Sequence, residues 1–493
     1  MYRMNPEHVD LLNIGLALNA EKTLSQLLDT ILVTGMNLAS CDGGIIYLLE
    51  DGMLHYTSLS IKSSKLSLSN LNHSEIPMMP IPITDDNIYT EVLRTSQIIY
   101  IPNTYSCSEY DLSLCKTLDR RIHYHTVSMV IIPLFSNENE PLGVLQFINC
   151  FNHKNCIVPF PNEIGFSLFY FATQSSLAIS NLNYTQEIKE LLYSFAEAMA
   201  TAIDERAPYN SEHSRNVANY ARRFMLYYNE QYKEGYVNEY FDETRQEELY
   251  LAALLHDIGK LAIPMEIMNK STRLSTLLDP LMYRFDMFRC NYRIDYLEHR
   301  ISHSQYEKAI QQLDEIQNFV LDINCATYLD DETIQKVYAL KNLYYYSFDD
   351  QQIPYFTDKE LECLSIPKGT LTKRERQIMQ SHVTITSKML SQFKFKSHFA
   401  NIPRWASNHH EFLNGTGYPN NLTAKDMPLE IRILCICDIY DALTATDRPY
   451  KKPQSVPVAL DILYQMAKEG KLDLSLVLIF SDMIQSNYAI DLS

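Results

Sequence analysis

The chain has 493 residues, 46% of them hydrophobic and 21% charged, with a formal net charge of −18. That length holds two or three domains, each able to bury its own core, and the balance excludes a mostly disordered chain. The acidic excess excludes a general binder of nucleic-acid polymers, which need a spread of Lys and Arg, but leaves room for a small anionic substrate in a locally basic cleft. Met1 to Pro6 lacks the layout of a signal peptide. No apolar run approaches the ~18 residues of a spanning helix, and ten scattered cysteines without a CxxC pair suit a reducing cytoplasm.

Residues 1–183 read as α+β. Apolar runs bounded by turn residues predict strands at Gly44–Leu49, Ser128–Phe135 and Pro141–Asn149. Helical patterns flank them from Glu21 to Leu38 and from Asn162 onward. This layout resembles a GAF domain, a sensory module, over about residues 17–183, which implies an antiparallel sheet with flanking helices and an unknown ligand. The nucleotide-binding signature of some GAF domains is matched incompletely, by Asn149, Cys150, Phe160, Asn162 and Glu163, so no ligand carries over.

Residues 184–205 form a helical linker. Ile188, Leu192, Phe195, Met199 and Ala202 recur at heptad spacing, which predicts a homodimer through the linker, with an intramolecular packing face as the alternative. From 206 to 493 the pattern is helical throughout. About 274–364 is a stretch rich in Tyr and acidic residues, including Tyr344-Tyr345-Tyr346, without a metal-ligand pattern. It reads as a helical insertion.

The chemistry concentrates around this insertion. His256 and Asp257 end the apolar run Leu251–Leu255, where unpartnered burial of either is costly; imidazole and carboxylate both suit divalent metals, and adjacent ligands can serve a close pair of ions. His213 shares a helical face with Val217, Tyr220, Ala221 and Phe224, which turns it inward. His382 follows an amphipathic segment, and His409-His410 precede Glu411. Asp438 and Asp441 share one face of an apolar helix, and two buried like charges call for a cation. Arg448, Lys451 and Lys452 form a basic cluster suited to phosphate. Gly415-Thr416-Gly417-Tyr418-Pro419 reads as a loop that brings backbone close to ligands or substrate, with Tyr418 available to stack on a base or close the pocket.

Together these motifs resemble the HD-GYP family, phosphodiesterases of the HD metallohydrolase superfamily, over about 206–273 and 365–493. The resemblance implies an all-α HD-type bundle. It also implies metal ligands His213, His256, Asp257, His382, His409, His410 and Asp438. Substrate contacts fall to Lys260, Gly417, Tyr418, Arg448 and Lys451, and catalytic roles to Asp257, Lys260 and Asp441, the last orienting a ligand or the nucleophile. The implied substrate is cyclic di-GMP, hydrolysed to pGpG and in some members to GMP, with iron or manganese as the metal. Tyr209 stands where three-metal members carry Glu, so two ions are expected. Asn414 replaces an Asp before the Gly-x-Gly-Tyr-Pro run, the segment from Asp438 to Arg448 is one residue longer than in many members, and 126 residues separate His256 from His382. A different cyclic dinucleotide, a non-enzymatic cyclic di-GMP receptor, and a nucleotide phosphohydrolase are the alternatives.

Overall fold

The computed structural model describes residues 15–21, 23–69, 79–83, 87–206, 212–346, 351–396, 399–445 and 453–486. It divides into two compact units, Met1–Leu191 and Leu192–Ser493.

In the first unit α1 (Leu24–Leu38) leads into β1 (Cys41–Glu50) and β2 (Met53–Ile61). Asp51 and Gly52, both at positive φ, close that hairpin. Then come β3 (Leu66–Ser69), β4 (Ile81–Pro82), α2 (Ile88–Thr95), β5 (Ile99–Ile101), α3 (Ser113–Ile122), β6 (Met129–Phe135), β7 (Pro141–Phe151) and β8 (Ile157–Val158). The sheet is antiparallel, in the order β3-β2-β1-β7-β6-β5, with β4 on β2 and β8 on β7. Alternate residues of one strand serve opposite layers: Ile46 and Leu48 pack with α1, Ile45 and Tyr47 with α2 and α3. Because both faces are covered, eight consecutive residues of β1 are buried, and the sequence shows a solid apolar run instead of alternation. Asn149 of the partial nucleotide-binding signature is spent on the fold. Its side chain accepts from the Val127 and Ser128 amides and donates to Tyr124 Oη and the His125 carbonyl.

Helix α4 (Gly165–Arg206) follows, and the division between the units falls within it. In the second unit its buried apolar residues are Ala196, Ala200 and Ile203, packed into the helical core. The residues of the predicted heptad seam sit beside that face: Leu192, Phe195, Met199 and Ala202 are half-buried, while Ile188 is exposed.

The second unit continues with α5 (His213–Lys233), α6 (Glu243–Leu255), a 3-10 turn at Ile258–Ala262 and α7 (Met265–Met268). Beyond them lie α8 (Leu278–Leu297), α9 (His303–Cys325), α10 (Asp331–Ala339), β9 (Tyr344–Tyr346), β10 (Gln352–Pro354) and α11 (Asp358–Leu364). The chain ends with α12 (Lys373–Leu390), α13 (Ile402–Ala406), α14 (Leu429–Thr444), α15 (Val456–Lys468) and α16 (Leu474–Gln485). Helix α14 is apolar on nearly every side, as a helix enclosed by others must be. No helix among the described residues is long and apolar enough to cross a membrane.

Elements α8 to α11 and β9–β10 gather around a core of their own. The expectation of a purely helical insertion needs one correction: β9 and β10 pair as a short antiparallel ribbon. Tyr345 points into the core and Tyr344 and Tyr346 point out, a strand alternation too short to register as a period. Fully buried Arg273 clasps the base. Its guanidinium donates to the carbonyls of Ile323 (2.7 Å), Ala326 and Ile366 (3.0 Å), tying the start of this region to its end and capping the C-terminus of α9. Arg273→Ala removes the side-chain donor from all three carbonyls, leaving Ile323 only its bond from the Ala326 amide, and costs about 3 kcal/mol. Hydrogen exchange is expected to show lost protection over residues 274–364, with protection in residues 24–151 unchanged.

Candidate metal centre

Five helices bring their residues to one buried cluster. His213 opens α5, His256 and Asp257 follow α6, His382 lies in α12, and Asp438 lies in α14. His409 and His410 follow α13 in the turn before the Gly-x-Gly-Tyr-Pro loop. All seven are buried except His410, which is partly exposed.

The imidazoles are aimed by hydrogen bonds on their outer nitrogens. Nδ1 of His256, His382 and His409 each donates to the carbonyl three residues earlier, at 2.6, 2.7 and 2.6 Å. Nδ1 of His213 donates to Asp441 Oδ2 at 2.6 Å. At His256, His382 and His409 the bond fixes a tautomer and leaves Nε2 as an inward lone pair, the arrangement metal-binding histidines adopt, and at His213 it turns Nε2 toward Asp438.

Asp257 sits between two groups. Its Oδ2 is 3.2 Å from His256 Nε2 and 3.6 Å from His213 Nε2; its Oδ1 is 3.3 Å from His382 Nε2 and 3.9 Å from His409 Nε2. Asp438 Oδ1 closes the first group, 3.1 Å from His213 Nε2, and its Oδ2 is 3.6 Å from His410 Nδ1. Three overlapping ligand sets result: His213, His256 and Asp438; His256, Asp257 and His409; His382, His409 and His410. His256 Nε2 and Asp257 Oδ1 are buried without a hydrogen-bond partner. Leaving such atoms unmatched is costly, and a divalent cation matches imidazole and carboxylate donors alike. The residues fit a metal site.

Electrostatics agree. Burial pushes His409 well below the usual imidazole range and His382 down to about 4, so both are neutral donors at pH 7. Burial opposes ionisation of Asp257 and Asp438, but Lys260 and His256 outweigh it at the first and His213 and His410 at the second, and both carboxyls stay well below their ordinary value. Burial also lowers His213, yet Asp438 and Asp441 prevail and raise it to about 9.

Lys260 pairs with Asp257 Oδ2 and remains partly exposed at the cluster's edge. Asp441 lies behind His213 and touches the centre only through that ring. Asp441→Ala frees the His213 ring, and metal affinity is expected to fall about 10–100-fold in a metal titration.

The Gly-x-Gly-Tyr-Pro loop folds back onto the ligands. The Tyr418 amide donates to the His410 carbonyl at 3.2 Å, and the Tyr418 ring lies 4.9 Å from the His410 ring. A Cβ on Gly417 would meet Glu411 Cα at 2.4 Å, so only glycine allows this approach. Asn414 lies at the exposed start of the loop and accepts from Thr416 N and Oγ1; it organises the turn. Arg448, Lys451 and Tyr209 lie outside the described residues.

Three supporting residues escaped sequence reasoning. Thr386, one turn beyond His382, donates to the His256 carbonyl and accepts from the Gly259 amide, both at 3.0 Å. Buried Glu411 accepts from the amides of Asn420 and Leu422 and so anchors the loop; its place after His409-His410 was its only signal. Asp204, buried and 3.3 Å from Arg215, is raised by burial to about 6.

HD-domain profiles match residues 210–292 and 352–476, and a GAF-domain profile matches 23–164. A segment of 106 residues is 40% identical to the cyclic di-GMP phosphodiesterase response regulator RpfG of Xanthomonas campestris, covering 21% of this chain and 26% of that one. A segment of 95 residues is 37% identical to 3'3'-cGAMP-specific phosphodiesterase 3 of Vibrio cholerae, covering 19% and 20%. The chain spans 16 to 26% of the length of the curated relatives it matches. Among solved structures, Bd1817, an HDG"Y"P protein of Bdellovibrio bacteriovorus, aligns at 12% identity and a TM-score of 0.27, over 72% of this chain and 93% of that one. Two HD-domain matches on either side of the insertion and a GAF-domain match before them give the chain an HD domain preceded by a GAF domain, and His256-Asp257 followed by Gly415-Thr416-Gly417-Tyr418-Pro419 stand in the order that the HD-GYP resemblance rests on.

Proposed function

We propose that the protein is a phosphodiesterase that hydrolyses cyclic di-GMP to pGpG, and onward to GMP if the linear product is retained. The observation that carries this reading is Asp257, whose two oxygens face separate histidine groups. Asp257 together with His213, His256 and Asp438 on one side and His382, His409 and His410 on the other would hold divalent cations, iron or manganese in this reading. When bound, such ions supply Lewis-acid stabilisation of a phosphoryl oxygen and lower the pKa of water. The chain's own groups do the rest. Lys260 offers a cation to a phosphate at the edge of the cluster, and Arg448 and Lys451, outside the described residues, are the further basic residues of this reading. Tyr418 and the Gly417 backbone form one wall for a base, and Asp441 holds His213 in place. The names of the relatives support a cyclic dinucleotide, and those named for 3'3'-cGAMP favour that ligand as the second reading.

The GAF domain would bias turnover through the helical linker, in a cytoplasmic homodimer. Tyr184, Ile188 and Leu191, exposed along α4, support pairing there. A cleft of about 960 Å³ beside Asn37, Asp42, Lys62 and His153 is a place for the unknown GAF ligand. The test is to purify the full chain anaerobically, measure iron and manganese, and follow hydrolysis of cyclic di-GMP beside 3'3'-cGAMP. Two ions per chain with faster turnover of cyclic di-GMP are expected. Metal with binding but no turnover would make the protein a receptor, and preference for 3'3'-cGAMP would replace the substrate.

A further inference from the structure

Helix α8 is amphipathic twice over. Its inner face, with Leu281, Phe285 and Phe288, is buried in the core of the insertion. Its outer face carries a second apolar row: Tyr283 (74% exposed), Met287 (43%), Cys290, Ile294 (47%) and Leu297 (63%). The steps between them are four, three, four and three residues, the seam of a paired helix, running for roughly 21 Å. The inner face already anchors the helix, so folding does not require the outer row.

The row is symmetric about its middle member. Tyr283 and Leu297 lie seven residues either side of Cys290, and Met287 and Ile294 lie three and four away. Antiparallel to its own copy, the row therefore meets itself, Tyr283 against Leu297 and Cys290 against Cys290, as an isologous contact demands. Charge agrees. Asp286, which pairs with Arg289 of its own helix at 3.0 Å but stays 68% exposed, and exposed Arg293 share one flank on opposite sides of the centre, so each faces its opposite in the copy. A parallel pair would set Asp279 against Arg284, but Arg284 is occupied by buried Glu360 at 2.7 and 3.1 Å.

We propose that the outer face of α8 is a two-fold interface with a second copy of this chain, the helices antiparallel and crossing at Cys290. This contact is separate from the linker and from the metal centre. The test uses the full chain with the exposed Cys156 and Cys325 replaced by Ser and Cys290 kept. Mild oxidation at low micromolar concentration is expected to give a reducible dimer linked through Cys290, absent from Cys290→Ser and from Met287→Glu/Ile294→Glu. Asp286→Arg is expected to weaken association at least about 10-fold in sedimentation, and adding Arg293→Asp to restore it. A chain that dimerises without the Cys290 cross-link, or a cross-link that survives the paired glutamates, would overturn the interface and leave the linker as the contact. Failure of the charge reversal to rescue would overturn the antiparallel pairing. Metal content and turnover are expected to be unchanged in the glutamate variant, so this result stands apart from the phosphodiesterase reading.

Discussion

Asp257→Ala is expected to abolish metal retention and hydrolysis together while leaving the fold intact. The two carboxylate oxygens reach four histidines in two groups, so one substitution strips a shared donor from both. Removing a single preorganised electrostatic group costs about 10²–10³-fold in turnover, and a carboxylate that faces both histidine groups is expected to cost at least that much. Folding survives because the cluster does not depend on the carboxylate to neutralise buried cations. Burial already keeps His409 neutral and His382 near 4, His213, raised to about 9, keeps its pairs with Asp438 and Asp441, and Lys260 retains access to water. The measurements are metal content by mass spectrometry, turnover of cyclic di-GMP, and helical circular dichroism. Full turnover in a variant lacking one ion would refute the shared-ligand reading; loss of helical signal would show that Asp257 acts through folding.

The inward set of His213 was legible because Val217, Ala221 and Phe224, on the same helical stripe, are all buried beside it. The pair Asp438 and Asp441 was legible as a buried acidic face of an apolar helix, but not how it divides. Asp438 faces the ligands, while Asp441 turns back onto His213 Nδ1. That split depends on where α5 packs on α14, and such information is absent from either helix alone. Asn414, which replaces an Asp before the loop, accepts from Thr416 N and Oγ1 in its own turn and donates to the Glu469 carbonyl, a partner 55 residues away that the sequence does not reveal. The Asp51-Gly52 turn was a plain hairpin signal that reading by apolar runs passes over, because β2 mixes Ser and Thr with its buried Leu54, Tyr56 and Leu59. The base of the insertion was invisible for another reason: Arg273, Ile323 and Ile366 meet across 50 to 93 residues of chain.

Gly259→Ala is expected to be as damaging as removing a ligand, although Gly259 carries no side chain. A Cβ there would lie 2.0 Å from the His382 carbonyl oxygen and 2.7 Å from the Thr386 amide nitrogen. Both obstacles are backbone, so no rotamer change relieves the clash and the 3-10 turn must separate from α12. That separation breaks the bonds from Thr386 to His256 and Gly259 and draws His382 away from Asp257. Overpacking of this kind costs about 1–3 kcal/mol, and a displacement near 1 Å at a reacting centre costs about 10²-fold in rate. The two losses are separable. Thermal unfolding reads the first, and turnover measured well below the transition, with metal in excess, reads the second. Thr386→Val supplies the comparison, because it removes the same two hydrogen bonds without inserting an atom between the backbones. If the contact of turn and helix positions His382, the alanine variant loses more activity than the valine variant at equal folded fraction. Equal losses would assign the effect to the hydrogen bonds alone.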